Sequence, residues 1–365
     1  MTSGPVGGPD SQPVGHSSAG TATSPPALGT GRIESLSVGP FQLESGAVLG
    51  DLMIAYRHDG PGPAEAPQVL AVHALTGSAD AAGDWWAPLI GPGLAFDTDR
   101  FGVLCANLLG GRYGTTGPTS LVPGAGAAYG AAFPEVSTRD QARAQWRLLD
   151  ALGIDELAVV TGGSLGGMVA LEVAMERPAA VRTVVPMAAP AATGALAMAW
   201  NAIQLEVIDR LGEDGLAIAR QLAMTTYRSE ADFESRFGRN LEPDGRLSVA
   251  SYLQYQGRKL VERFDPATYR ILVRAMDLHD IGRDRGGIVA ALGLLAAAGT
   301  RLTGLGITHD ILYGPGQVQA LIAAATEAGV AATYRELVSA KGHDAFLVEW
   351  DQLGAVLREA LAEAG

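Results

Sequence analysis

The sequence predicts an α/β chain: a mostly parallel, doubly wound sheet with a helical lid inserted late in the chain. Three observations predict it. Apolar runs with little alternation, residues 101–108 above all, suit strands covered on both faces. These runs alternate with stretches of helical spacing, which implies right-handed crossovers. That rhythm then fails over residues 191–287 before resuming.

Residues 1–31 are almost entirely Gly, Pro, Ser, Thr, Ala and Val, with Asp10 as the one acidic residue. They cannot bury enough apolar surface to offset their ordering entropy, so a disordered tail is expected. Early strands are expected at 52–56 and 68–73, and a stronger one at 101–108 ending at Gly110-Gly111. Thr138–Leu152 reads as a helix, with Ala142, Trp146 and Leu149 on one face and Gly153 to stop it. A strand at 157–161, a helix at Leu165–Glu176 ended by Pro178, and a strand at Val181–Met187 follow. The segment 191–287 is richer in charge and helical pattern and reads as the lid. The core, 32–190 and 288–365, resumes with a strand at Arg301–Ile307, a helix at 317–328 and a strand at 333–338. It closes on a helix whose stripe is Leu353, Val356, Leu357, Ala360 and Leu361.

Composition narrows the function. With 365 residues the core can be large, and a single cysteine, Cys105, excludes an internal disulfide framework and a multi-cysteine zinc site. A net charge of −13 argues against a nucleic-acid partner. No apolar run reaches a membrane span and no secretory signal is visible, so a cytoplasmic protein with no membrane association is expected.

Gly162-Gly163-Ser164-Leu165-Gly166 matches G-x-S-x-G, directly after an apolar strand and directly before a helix. That context is a nucleophile elbow, a tight turn that lifts a serine hydroxyl above the sheet. The hydroxyl needs a base, and the base an orienting carboxylate, in the chain order Ser, acid, His. His343, in Gly342-His343-Asp344, is the only histidine placed after the last strand. Asp310 follows the preceding strand and is the expected acid; Asp344 is the rival, although a sequence neighbour points elsewhere. The oxyanion would take backbone N–H groups from Leu165, at the helix start, and from Leu75, in His73-Ala74-Leu75-Thr76-Gly77. His73 itself reads as a loop-packing histidine. Neither a phosphate-cradling P-loop nor a metal-ligand cluster is visible, so no bound cofactor is expected.

At this point the chain resembles the homoserine O-acetyltransferase family of α/β-hydrolase-fold acyltransferases, from about Phe41 to the end. The stretch 73–77, Trp85-Trp86, and Asn107-Leu108-Leu109-Gly110-Gly111 carry the likeness, with Gly114-Thr115-Thr116-Gly117-Pro118 and the elbow. So do Ser251-Tyr252-Leu253, Gln256-Gly257, His279-Asp280-Ile281-Gly282-Arg283 and Gly342-His343-Asp344-Ala345-Phe346. The resemblance implies that Ser164, Asp310 and His343 carry an acetyl group from acetyl-CoA to the hydroxyl of L-homoserine, for methionine synthesis. It implies acceptor contacts at Arg220, Tyr227 and Asp344, and a homodimer through the lid. A guanidinium can grip the acceptor carboxylate with two parallel bonds, and a carboxylate beside the base can hold its ammonium. The acidic chain needs a local basic lip for the CoA polyanion, for which Arg283 and Arg285 stand, against a merely solvated loop. The lid is shorter than in related proteins, and Arg112-Tyr113 follows the Gly110-Gly111 pair. An acetyltransferase for another alcohol, or an esterase or thioesterase using water, would share the same triad.

Overall fold

A computed structural model describes residues 28–364. The tail expected over 1–31 lies outside the described residues up to position 27. Its last residues are tied down: the Gly29 amide donates to His58 Nδ1 at 2.9 Å, and the Gly31 amide to the His58 carbonyl at 3.0 Å. Residues 28–31, which composition assigns to the tail, are thus held against β-strand residue His58.

The main sheet has eight strands: β1 (Ile33–Ser37), β2 (Met53–Asp59), β3 (Gln68–Val72), β4 (Gly102–Ala106), β5 (Leu157–Gly163), β6 (Val181–Met187), β7 (Arg301–Ile307) and β8 (Ala332–Leu337). Their spatial order is β1-β2-β4-β3-β5-β6-β7-β8. The pairs β1/β2 and β2/β4 are antiparallel, and all the others parallel. Every residue of β3, β4 and β5 is buried, which is what a run of Val, Leu, Ala and Gly covered on both faces requires. β1, at the edge, alternates between exposed and half-buried positions.

Helices cover both faces. One carries α1 (Thr138–Leu152), α2 (Leu165–Glu176), α8 (Ile288–Ala298) and α9 (Pro315–Glu327); the other carries α10 (Trp350–Ala364) and the Trp86–Phe96 region. α1 starts at a capping box in which Ser137 and Asp140 satisfy each other's amides, and ends at Gly153 with φ 70°. α2 is apolar on nearly all sides, Glu172 apart, and buried from Leu165 to Met175, because it lies between the sheet and its neighbouring helices.

Between β6 and α8 the chain forms α3 (Ala195–Leu211), α4 (Glu213–Tyr227), α5 (Glu230–Arg236), α6 (Ser248–Val261) and α7 (Pro266–Asp277). The two ends of this segment meet. Ala192 bridges Asp280, the Thr193 amide donates to the His279 carbonyl at 3.0 Å, and the His279 ring contacts the Pro190 carbonyl at 3.0 Å. Burial lowers the His279 pKa to about 4, so it closes the neck as a neutral ring. α4 packs against the short 3-10 turn Gly342–Leu347, which brings the helical segment over the loop after β8. Among the described residues no helix is long and apolar enough to cross a membrane.

Candidate active site

Ser164 stands between β5 and α2 with φ 58° and ψ −125°, a conformation a non-glycine residue holds only under constraint. The constraint is visible. Its amide donates to the Met187 carbonyl at 2.9 Å, while Gly166 lies so close to β3 that a Cβ there would be 2.2 Å from the Val72 carbonyl oxygen. The turn is thus pressed against two neighbouring strands, and only glycine fits beside the serine.

His343 lies in the 3-10 turn after β8. Its Nδ1 donates to Asp310 Oδ2 at 2.7 Å, and both side chains are buried. Asp310 follows β7, where its other oxygen accepts the amides of Leu312 at 2.8 Å and Tyr313 at 3.1 Å. The carboxylate is therefore held from both sides, and it fixes which ring nitrogen carries the proton. Burial works to lower the His343 pKa, but the charge and hydrogen bond of Asp310 outweigh it and leave it raised above the ordinary 6.5. Its Nε2 is buried without a hydrogen-bond partner among the described residues. The bond to Ser164 is thus open in this structure, as catalytic bonds often are before substrate binds. Tyr227, Tyr313 and Phe346 wall the imidazole, with ring centroids 5.8, 5.6 and 5.6 Å away.

The rival acid is engaged elsewhere. Asp344 Oδ2 lies 3.0 Å from Arg228 Nε. Arg228 belongs to a latch that sequence reasoning missed. Ser229 Oγ donates to the Ala340 carbonyl, Lys341 Nζ to Asp232 at 2.8 Å, and Gly342 turns at φ 69° against the Ser229 amide. The start of α5 thereby braces the loop that carries His343.

The turn 74–77 shows how a backbone donor can be aimed. The Leu108 amide donates to His73 Nε2 at 3.0 Å, so the proton sits on Nδ1, which donates to the Ala74 carbonyl at 2.7 Å. The Gly77 amide donates to the same carbonyl at 2.9 Å. In a trans peptide the N–H points opposite to the C=O, so holding the Ala74 carbonyl inward turns the Leu75 N–H outward. Neither the Leu75 nor the Leu165 amide has an acceptor among the described residues. Full burial lowers the His73 pKa to about 4, which keeps it a neutral structural ring.

A cleft of about 740 Å³ opens between this turn and the helical segment. Ala74, Thr76, Trp85, Tyr113, Arg220 and Asp344 line part of it. Ser164 and His343 do not form its wall, but Asp344, next to His343 in the chain, and Ala74, next to Leu75, do. The Arg220 guanidinium sits 5.2 Å from the Tyr227 ring centroid. Burial raises the Tyr227 pKa, against the opposing charge of Arg220, so its hydroxyl stays protonated.

Arg283 and Arg285, expected as a basic lip, are paired with carboxylates instead. Arg285 donates to Glu172 at 2.8 Å and Glu176 at 3.0 Å, and Arg283 to Glu44 at 2.9 Å, so both are consumed in ion pairs that bind the lid neck to α2 and the N-terminal region. The cations that line the cleft are Arg220, Lys259 and Arg263. No sequence pattern singles out Lys259 or Arg263, and only the tertiary fold brings them to the cleft.

Comparison with known proteins gives the fold and the family. The family model for the alpha/beta hydrolase fold matches residues 67–348. The homoserine O-acetyltransferase of Moorella thermoacetica is 41% identical over 353 residues, covering 88% of this chain and 94% of that protein. That of Nostoc punctiforme is 42% identical over 336 residues, covering 88% and 93%. The chain belongs to the homoserine O-acetyltransferase family. It is an acyltransferase on the α/β-hydrolase fold. The solved homoserine O-acetyltransferase from Staphylococcus aureus superposes with a TM-score of 0.76 at 30% identity, covering 90% of this chain and 95% of that one. In this member of the family Arg112 pairs with Asp265 at 3.3 Å, and Tyr113, at φ 69°, turns into the cleft wall.

Proposed function

We propose that the protein moves an acetyl group from acetyl-CoA to the side-chain hydroxyl of L-homoserine, by a ping-pong route through an acetyl-Ser164 intermediate, as a step toward methionine. His343 Nε2 takes the Ser164 proton as Oγ attacks the thioester carbon. The oxyanion is received by the Leu165 and Leu75 amides, and collapse expels CoA as its thiol, with the proton returned by His343. In the second half, His343 deprotonates the homoserine hydroxyl, which attacks the acetyl carbon, and collapse of the adduct releases Ser164 with the proton returned to its Oγ by His343. Asp310 stabilises the imidazolium in both halves.

The observation that carries this reading is the divided imidazole: Nδ1 is bonded to Asp310 and Nε2 is buried without a partner among the described residues. Acceptor choice rests on Arg220 and Asp344 lining one cleft. A guanidinium for the carboxylate, and the Asp344 oxygen that Arg228 leaves free for the ammonium, would hold an amino acid with its hydroxyl toward His343. Tyr227, between Arg220 and the His343 ring, is placed to close the acceptor pocket. Water needs no such clamp, and this favours transfer over hydrolysis. Purified protein given acetyl-CoA should release CoA rapidly only when L-homoserine is added, and yield O-acetylhomoserine. CoA release at an equal rate with and without acceptor would indicate a hydrolase. Release with a different alcohol alone would move the acceptor assignment.

A further inference from the structure

The Arg263 side chain leaves the α6–α7 connection and reaches across the cleft to the turn that carries Leu75. Its Nη1 donates to the Thr76 carbonyl at 2.7 Å, and its Nη2 to Thr76 Oγ1 at 3.3 Å. The same guanidinium contacts the Tyr113 hydroxyl at 3.3 Å, and that hydroxyl donates back to the Arg263 carbonyl at 3.2 Å. The next two residues reinforce the grip. Phe264 is buried against Tyr113 and Tyr269, and Asp265 caps α7 through the Thr268 amide at 2.9 Å while pairing with Arg112. Arg263, Phe264 and Asp265 thus fasten the helical segment to both loops that border the cleft.

Apart from the Leu75 side chain, which is buried in the core, the turn 74–77 is otherwise held on one side only. His73 and the Gly77 amide fix the Ala74 carbonyl, but of the two residues at its tip, Leu75 is not held through its own amide, and Arg263 alone takes the Thr76 carbonyl and hydroxyl among the described residues. A guanidinium suits the task, because its rigid fork reaches both oxygens of one residue with fixed spacing, which an ammonium cannot do. We infer that Arg263 is a positioning residue for acyl transfer: by clamping Thr76 it holds the Leu75 N–H where the oxyanion develops, and so makes oxyanion stabilisation depend on the docked helical segment. This rests on the reading of Leu75 as an oxyanion donor. A donor aimed in advance stabilises the transition state without reorganising, so loosening the turn should slow acylation while leaving ground-state binding nearly unchanged.

The test is pre-steady-state acylation by p-nitrophenyl acetate in wild type, Arg263→Ala and Arg263→Lys. That donor carries no phosphate, so it separates a positioning role from a charge that merely attracts CoA. Arg263→Ala should acylate about 10- to 100-fold more slowly, below the loss from deleting an oxyanion donor outright, with KM little changed. Arg263→Lys should fall between. Added guanidinium chloride at a few millimolar should restore part of the rate to Arg263→Ala alone, since the cleft is open to it. A purely structural role would not be rescued this way. Wild-type acylation rates in Arg263→Ala would overturn the inference. So would a defect seen only with acetyl-CoA, or a slow rate that tracks a lowered Tm and resists guanidinium. Absence of any burst in the wild type, or a burst that survives in Ser164→Ala, would instead remove the acyl-serine reading beneath it.

Discussion

Phe346 occupies the space that a side chain at Gly163 would need: a Cβ there would stand 2.4 Å from the phenyl ring. Because the same ring packs edge-on against His343, at 5.6 Å between centroids, Gly163, which precedes Ser164, and His343 are separated by one aromatic side chain. The strand-to-helix turn and the loop after the last strand are therefore mutually registered by packing, before any hydrogen bond forms between Ser164 and His343.

Gly163→Ala should displace Phe346 and with it the imidazole. We expect destabilisation of about 1–3 kcal/mol, the usual cost of overpacking a dense interior, with a larger proportional loss of acylation rate. Thermal melts and burst kinetics on the same preparation check this. A fully active Gly163→Ala would mean that the registration is looser than the packing implies.

Asp310→Asn should leave the fold intact but allow the amide to donate where the carboxylate accepts, so the ring can turn its proton toward the serine. Loss of kcat by about 10³- to 10⁴-fold is expected, from the wrong tautomer and an unstabilised imidazolium. Asp344→Asn should cost far less in acylation, because that carboxylate pairs with Arg228 rather than with the ring. Equal losses in the two variants would contradict the assignment.

The pH dependence has a definite sign. His343 acts as a base only when neutral, and its pKa is raised above 6.5 because Asp310 outweighs the effect of burial. Acylation should therefore fall as pH drops through a value above 6.5, and that limb should move to lower pH in Asp310→Asn, where the charge is gone. Linkage runs the opposite way: the raised pKa contributes stability that is complete below the unfolded value and is lost as pH rises through the folded one. A pH–rate profile of single-turnover acylation reads the limb directly.

Arg220→Ala should leave donor acylation nearly intact and reduce kcat/KM for L-homoserine by about 10- to 100-fold, the scale of lost charge-assisted hydrogen bonds. Arg220→Lys should recover little, since one ammonium cannot reproduce a bidentate fork. Varying donor and acceptor separately distinguishes this from general damage.

The parallel strands and their helices were legible because burial on both faces leaves an unbroken apolar run. Val181–Met187, Arg301–Ile307, Thr138–Leu152 and Leu165–Glu176 have the bounds the sequence implies. β1 escaped notice because an edge strand of five residues, Ile-Glu-Ser-Leu-Ser, buries little. α8 escaped for the opposite reason, since an almost wholly apolar run has no periodic signal to distinguish helix from strand. At the site, chain order alone brings forward Asp310 and His343, which the fold places 2.7 Å apart. Arg263, Lys259 and the Arg228–Asp232 latch were illegible, because a charged residue on a helix looks the same whether it faces water or reaches another loop. Arg283 and Arg285 show the converse: apparently free charges that are spent on Glu44, Glu172 and Glu176.

The most direct measurement is the intact mass of wild-type and Ser164→Ala protein after incubation with acetyl-CoA, followed by a chase with L-homoserine. The wild type should gain one acetyl group, mapped to the Ser164 peptide, and lose it on the chase as O-acetylhomoserine appears, while Ser164→Ala stays unmodified. An adduct that persists through the chase, that forms equally in Ser164→Ala, or that maps to another residue would contradict the account.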